Sequence, residues 1–154
     1  MNRIGLDKTE AQQLAKQLND LLANYQLFYM NLRAFHWNIK GEKFFELHAK
    51  FEELYDETLL KVDEIAERIL TLGEEPAHTF SKYLELSEIK EQEGLNDAHS
   101  TVNSVLDSFE ILIRKQRVLL DLSDQYGDEG TNALMSDYIR EQEKLVWMYT
   151  AFLG

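Results

Sequence analysis

The 154-residue chain carries 28 acidic against 16 basic residues, for a formal net charge of −12, with 44% hydrophobic residues and no cysteine. Without cysteine there are no disulfides, thiolate metal sites, iron–sulfur clusters or cysteine nucleophiles, and the charge opposes nucleic acid and anionic membranes while attracting cations. No apolar run approaches the ~18 residues that span a bilayer, and Met1 to Asp20 lacks the apolar core of a secretory signal, so a single cytoplasmic domain over 1–154 is expected.

Leucine outnumbers valine plus isoleucine by 24 to 13, which favours helix over strand. Glycines and the lone Pro76 leave four stretches without a breaker, 6–40, 42–72, 95–126 and 131–153. The first opens at Asp7-Lys8-Thr9-Glu10, an N-cap followed by acid, and carries Leu14, Leu18, Leu21, Leu22, Tyr25 and Phe28 at helical spacing. Gly41 and Gly73 stand where glycines end helices. Segment 74–94 is polar, then holds Tyr83, Leu84, Leu86 and Ile89, and reads as a crossover with a short helix inside. Asp128 or Thr131 opens the last helix. Four helices with one long connection between the second and third make an all-α, ferritin-like four-helix bundle.

The second helix separates its charges by angle. At ~100° per residue, an apolar stripe runs through Phe44, Leu47, Phe51, Leu54, Tyr55, Val62, Ile65 and Ile69. His48, Glu52, Asp63 and Glu67 fall within roughly 100° on one flank of that stripe, together with Phe45, Leu59, Leu60 and Leu70. Glu53, Glu57, Glu64 and Arg68 are expected to point to solvent. His36, in Phe35-His36-Trp37-Asn38, ends the first helix just before the Gly41 turn. Imidazole suits transition metals and carboxylate suits harder cations. His48 and Asp63 are ~22 Å apart along a helix, so one centre using all of these residues needs Asp63 and Glu67 from a second copy. An antiparallel two-fold pairing provides that and makes two identical sites. Spacing alone also fits a solvated acidic pair and a packed histidine.

The stretch Asn31-Leu32-Arg33-Ala34-Phe35-His36-Trp37-Asn38-Ile39-Lys40-Gly41, with Asp63-Glu64-Ile65-Ala66-Glu67-Arg68-Ile69, resembles the signature of the Dps miniferritins, the DNA-binding proteins from starved cells. The likeness extends to Pro76-Ala77-His78-Thr79 and Leu145-Val146-Trp147. It implies a hollow homo-dodecamer that oxidises ferrous iron, often with hydrogen peroxide, stores ferric mineral, and so limits oxidative damage. Carried over residue by residue, it implies iron ligands at His36 and His48 of one subunit and at Asp63 and Glu67 of its two-fold mate. Glu52 falls where well-known members have aspartate, and its extra methylene shifts the oxygen. For Trp37 two roles stand open, an electron donor beside the iron or an interface aromatic. The family's iron entry lies at three-fold pores near the start of the last helix. Here Asp124, Asp128 and Glu129 form either an acidic funnel or an ordinary acidic loop.

Two other functions compete. The family name raises DNA binding and nucleoid association, but the charge is unfavourable and the residues before the first helix offer only Arg3 and Lys8 against Asp7. A bundle-core di-iron site wants Glu-x-x-His on each of two helices. The only such spacing, Glu75-Pro76-Ala77-His78, holds the proline and lies in the crossover. No haem is expected.

Overall fold

The computed structural model describes residues 1–154 as five helices and no strands. They are α1 (Lys8–Asn38), α2 (Phe44–Thr71), α3 (Phe80–Leu86), α4 (Ala98–Gln125) and α5 (Glu129–Leu153). None is long and apolar enough to cross a membrane. The four long helices form the bundle and α3 rides on the crossover, as expected from the breaker pattern.

Helix starts are set by short acidic or hydroxyl side chains that satisfy unpaired amides. Asp7, Thr79, Asp97 and Asp128 accept from the backbone N–H three residues on. Gly73 ends α2 in the left-handed region, φ 93°. There its N–H donates to Leu70 O at 2.9 Å and the Glu74 N–H to Ile69 O at 3.1 Å, a Schellman pair. Gly41 behaves otherwise. The chain has already left α1 at Ile39, whose backbone is extended, and Gly41 serves the following turn. Gly130, expected to break the chain, lies inside α5.

The core draws on all four long helices, and Leu14, Leu18, Leu21, Leu22, Tyr25 and Phe28 of α1 are all buried in it. Three asparagines on α1 strap down the crossover. Asn19 bonds Glu75 and Ala77, Asn24 Oδ1 accepts from the Glu88 and Ile89 N–H groups, and Asn31 bonds Lys90 and Gln92. Buried amides need partners, so these contacts let a polar connection lie against an apolar bundle.

At the centre of the bundle three neutral side chains close a ring. Tyr25 Oη donates to Gln116 Oε1 at 2.5 Å, Gln116 Nε2 to Gln142 Oε1 at 2.8 Å, and Gln142 Nε2 to Tyr25 Oη at 2.6 Å. Burial pushes the Tyr25 phenol far above its ordinary range, so the ring stays uncharged.

Candidate metal centre

The turn between α1 and α2 folds His36 onto His48. Their imidazoles stack at 3.8 Å between centroids, with planes 14° apart. His36 Nδ1 lies 2.6 Å from His48 O, and His48 Nδ1 lies 2.7 Å from His36 O. A carbonyl only accepts, so each Nδ1 carries the donated hydrogen.

The reciprocity has a local cause. Carbonyls in the last turn of a helix lack intrahelical partners. Lys40 N–H, the expected partner of His36 O, instead donates to Asn96 O at 2.8 Å. His48 supplies the missing donor. With hydrogen fixed on Nδ1, each neutral ring keeps its Nε2 lone pair, the form in which histidine binds a metal. His36 is 8% exposed, and the His48 ring also stacks on Phe44 at 5.0 Å, so both rings are held.

Tyr55 completes this corner and was not singled out by sequence. Its ring meets His36 edge-on at 5.3 Å, and its hydroxyl donates to Glu52 Oε1 at a long 3.4 Å. The signal available was spacing, since Tyr55 follows Glu52 by three positions on one helical face. Arg33 sits over the rings of Tyr29, Tyr55 and Trp37, at 5.6, 5.0 and 5.0 Å. Trp37 is exposed, and a cation over its face opposes removal of an electron, which favours the interface role for it.

Glu52, Asp63 and Glu67 are all exposed. Asp63 and Glu67 lie towards the other end of α2, ~22 and ~28 Å from His48 at ~1.5 Å per residue. Within one copy, no three histidine, aspartate or glutamate side chains gather into a metal-binding group. The two histidines therefore come together, and the two distant acids do not join them in the same chain. Phe45, Leu59, Leu60 and Leu70, on the same flank, are exposed apolar residues.

The opposite flank meets the expectation of solvated charge at Glu53 and Glu64, which are exposed, and departs from it at Glu57 and Arg68, which are partly buried. Arg68 reaches Asp128 Oδ1 at 2.6 Å and Thr131 Oγ1 at 2.9 Å, and Glu64 accepts from Tyr138 Oη at 3.2 Å. Glu57 is half-buried, and that burial raises its carboxyl above the usual range. The wheel places these residues beside the core stripe on the side of α5, which partly covers Glu57 and Arg68 and leaves Glu64 exposed. Among the acids of the α4–α5 loop, Asp128 is 2% exposed and accepts from Arg68, Thr131 N and Thr131 Oγ1. It is committed as cap and ion-pair partner, and only Asp124 and Glu129 remain as exposed acids of the predicted funnel.

Comparison with known proteins agrees with the fold. A ferritin-like domain family model matches residues 15–154. A Dps protein from Vibrio cholerae O1, of the ferritin-like diiron-carboxylate superfamily, superposes with a TM-score of 0.99 at 59% identity, covering 100% of this chain and 97% of that one. A Dps protein from Bacillus brevis gives 0.92 at 39% identity, covering 97% and 100%. The DNA protection during starvation protein of Porphyromonas gingivalis is 45% identical over 148 residues, 96% of this chain and 93% of its own. With that family model over most of its length and Dps relatives at 39–59% identity along nearly all of it, the chain belongs to the Dps family of ferritin-like proteins.

Proposed function

We propose that this protein oxidises ferrous iron with hydrogen peroxide at a centre built by two copies of the chain, and stores the ferric product inside a dodecameric shell. The observation that carries the reading is the histidine pair. Both Nδ1 hydrogens are committed to carbonyls, both Nε2 atoms are free, and the remaining acids of the same flank lie too far along α2 to serve that pair in one copy.

Ferrous iron is the substrate. His36 and His48 would hold it through Nε2, Glu52 would add an oxygen, and Asp63 and Glu67 of the partner subunit would complete the set. Mixed imidazole and carboxylate donors suit iron, and the carboxylates offset the charge gained on oxidation. In the reaction two Fe(II) ions each give one electron to one peroxide. The O–O bond breaks, two protons are taken up, and two waters leave. Exposed Asp124 and Glu129 would draw cations towards the shell, with Asp128 holding their loop in shape.

Relatives carry names that speak of DNA protection. We read protection here as chemical, the joint removal of iron and peroxide, because a chain of net charge −12 offers phosphate little attraction. A gel shift at low salt, with and without bridging divalent ions, separates this from direct binding.

The decisive experiment is anaerobic Fe(II) loading followed by a pulse of peroxide. Ferric absorbance should grow in the wild type and fail to grow in a His36→Ala, His48→Ala double variant. Equal rates in both proteins would overturn the reading.

A further inference from the structure

The flank of α2 turned towards α5 carries three polar bridges at regular intervals. Lys61 Nζ pairs with Glu141 at 3.0 Å, Glu64 accepts from Tyr138 Oη at 3.2 Å, and Arg68 joins Asp128 and Thr131 at 2.6 and 2.9 Å. On the helical wheel Lys61, Glu64 and Arg68 span roughly 60°. The core stripe separates them from the flank that holds His48, Asp63 and Glu67. Backbone packing is close between α1 and α2 and between α4 and α5. The α2–α5 side is spanned by these long side chains instead.

We propose that this seam fixes the rotation of α2 about its own axis, and that Arg68 is the positioning residue that sets Asp63 and Glu67 for iron. The inference rests on the metal-site reading above. An apolar stripe about 100° wide specifies a helix's roll loosely, because it still faces the core over a range of rotations. At ~5–6 Å from the helix axis, a 20° roll moves a carboxylate by about 2 Å. Metal–ligand distances tolerate about 0.2 Å. A directional polar contact is needed to close that difference, and of the three bridges only that of Arg68 has a buried ionic partner. Its guanidinium meets Asp128, itself 2% exposed and anchored by Thr131. It also lies flush on Gly130, where an added Cβ would sit 2.7 Å from the guanidinium nitrogens. Gly130 is thus the one residue type that leaves room for this contact inside α5. Arg68 follows Glu67 directly in sequence, so any roll at the latch is transmitted to that ligand without an intervening hinge.

The test uses the assembled protein with Co(II), whose visible bands report coordination geometry and whose titration gives affinity without turnover. Three variants are compared, Arg68→Gln, Arg68→Lys and Gly130→Ala, with helix content and oligomer size checked for each. Arg68→Gln should weaken Co(II) about tenfold, as loss of an outer-shell contact does, and should shift the visible bands. Arg68→Lys keeps the charge opposite Asp128 but loses the Nε–Thr131 bond, so it should fall between. Gly130→Ala keeps both charges but displaces the guanidinium, and should move the bands in the same direction. A lower melting temperature with unchanged bands and affinity in the variants would make Arg68 a structural brace and overturn the proposal. Wild-type protein that binds no Co(II) would overturn the metal-site reading itself.

Discussion

A divided site makes a quantitative prediction about mixtures of inactive chains. Consider one variant lacking the histidines, His36→Ala with His48→Ala, and a second lacking the distant acids, Asp63→Asn with Glu67→Gln. Each alone should be inactive, because each site in either homo-oligomer lacks half of its ligands. The ~22 Å separation along α2 means that no chain serves its own histidines with its own Asp63. In a mixed two-fold pair one site receives both damaged halves, and the other receives the intact histidines of the second variant with the intact acids of the first. Random reassembly of equal amounts makes half of the pairs mixed, and one of the two sites in each is whole, so about one quarter of wild-type activity should return. The assay is the initial rate of ferric absorbance after a peroxide pulse on co-refolded or co-expressed chains, with parental proteins mixed without reassembly as the control. No recovery above the parental background would refute the divided site and return the acids to a separate role.

Other consequences of the structure can be checked more simply. Asp128→Asn removes the anionic partner of Arg68 from an enclosed position and should lower stability by about 3 kcal/mol, read as a shift of the urea midpoint. Tyr25→Phe leaves Gln116 Oε1 without a donor and Gln142 Nε2 without an acceptor in the bundle core, and should cost about 2 kcal/mol in the same assay. Burial raises the Glu57 carboxyl above its ordinary range. Its ionisation therefore opposes folding, with a penalty that develops as pH rises through the unfolded and then the folded pKa. Glu57→Gln should accordingly raise the melting temperature at neutral pH, and the gain should vanish once the pH falls below the ordinary glutamate range.

What could be read from sequence was set by local chemistry. Asp7 and Asp128 cap helices because short acidic side chains reach amides three residues on, whatever the rest of the chain does. The α1 core residues and the exposed flank of α2 followed from period alone. Features that depended on a distant partner could not be read. The role of His48 as a cap for α1 arises only because Asn96, far along the chain, takes the Lys40 N–H. Glu57 and Arg68 were assigned to solvent because a helical wheel gives direction but not the neighbour that lies there. Gly130 looked like a breaker because its reason for being glycine is the guanidinium of Arg68. The ion pair that withdraws Asp128 from the acidic funnel could not be read for the same cause, its cationic partner lying on another helix.

The position of the chemistry follows from what occupies the centre of the bundle. In a four-helix bundle the interior is the usual place for a metal, built from charged side chains that face one another across the axis. Here that space holds Tyr25, Gln116 and Gln142 in a ring whose donors and acceptors answer one another. A cation entering there would meet no carboxylate in the ring and would have to break satisfied bonds in a low-dielectric core, where a buried charge without a counter-charge is very costly. Asp63 and Glu67 instead lie on an outer flank, too far along α2 to join His36 and His48 on one ion in one copy. On the divided-site reading, the exposed apolar surface beside those acids, from Phe45 to Leu70, would supply the reason for two copies to meet there. A sealed neutral interior and a flank whose acids lie far from the histidines would, on that same divided-site reading, make association of subunits the step that creates the site.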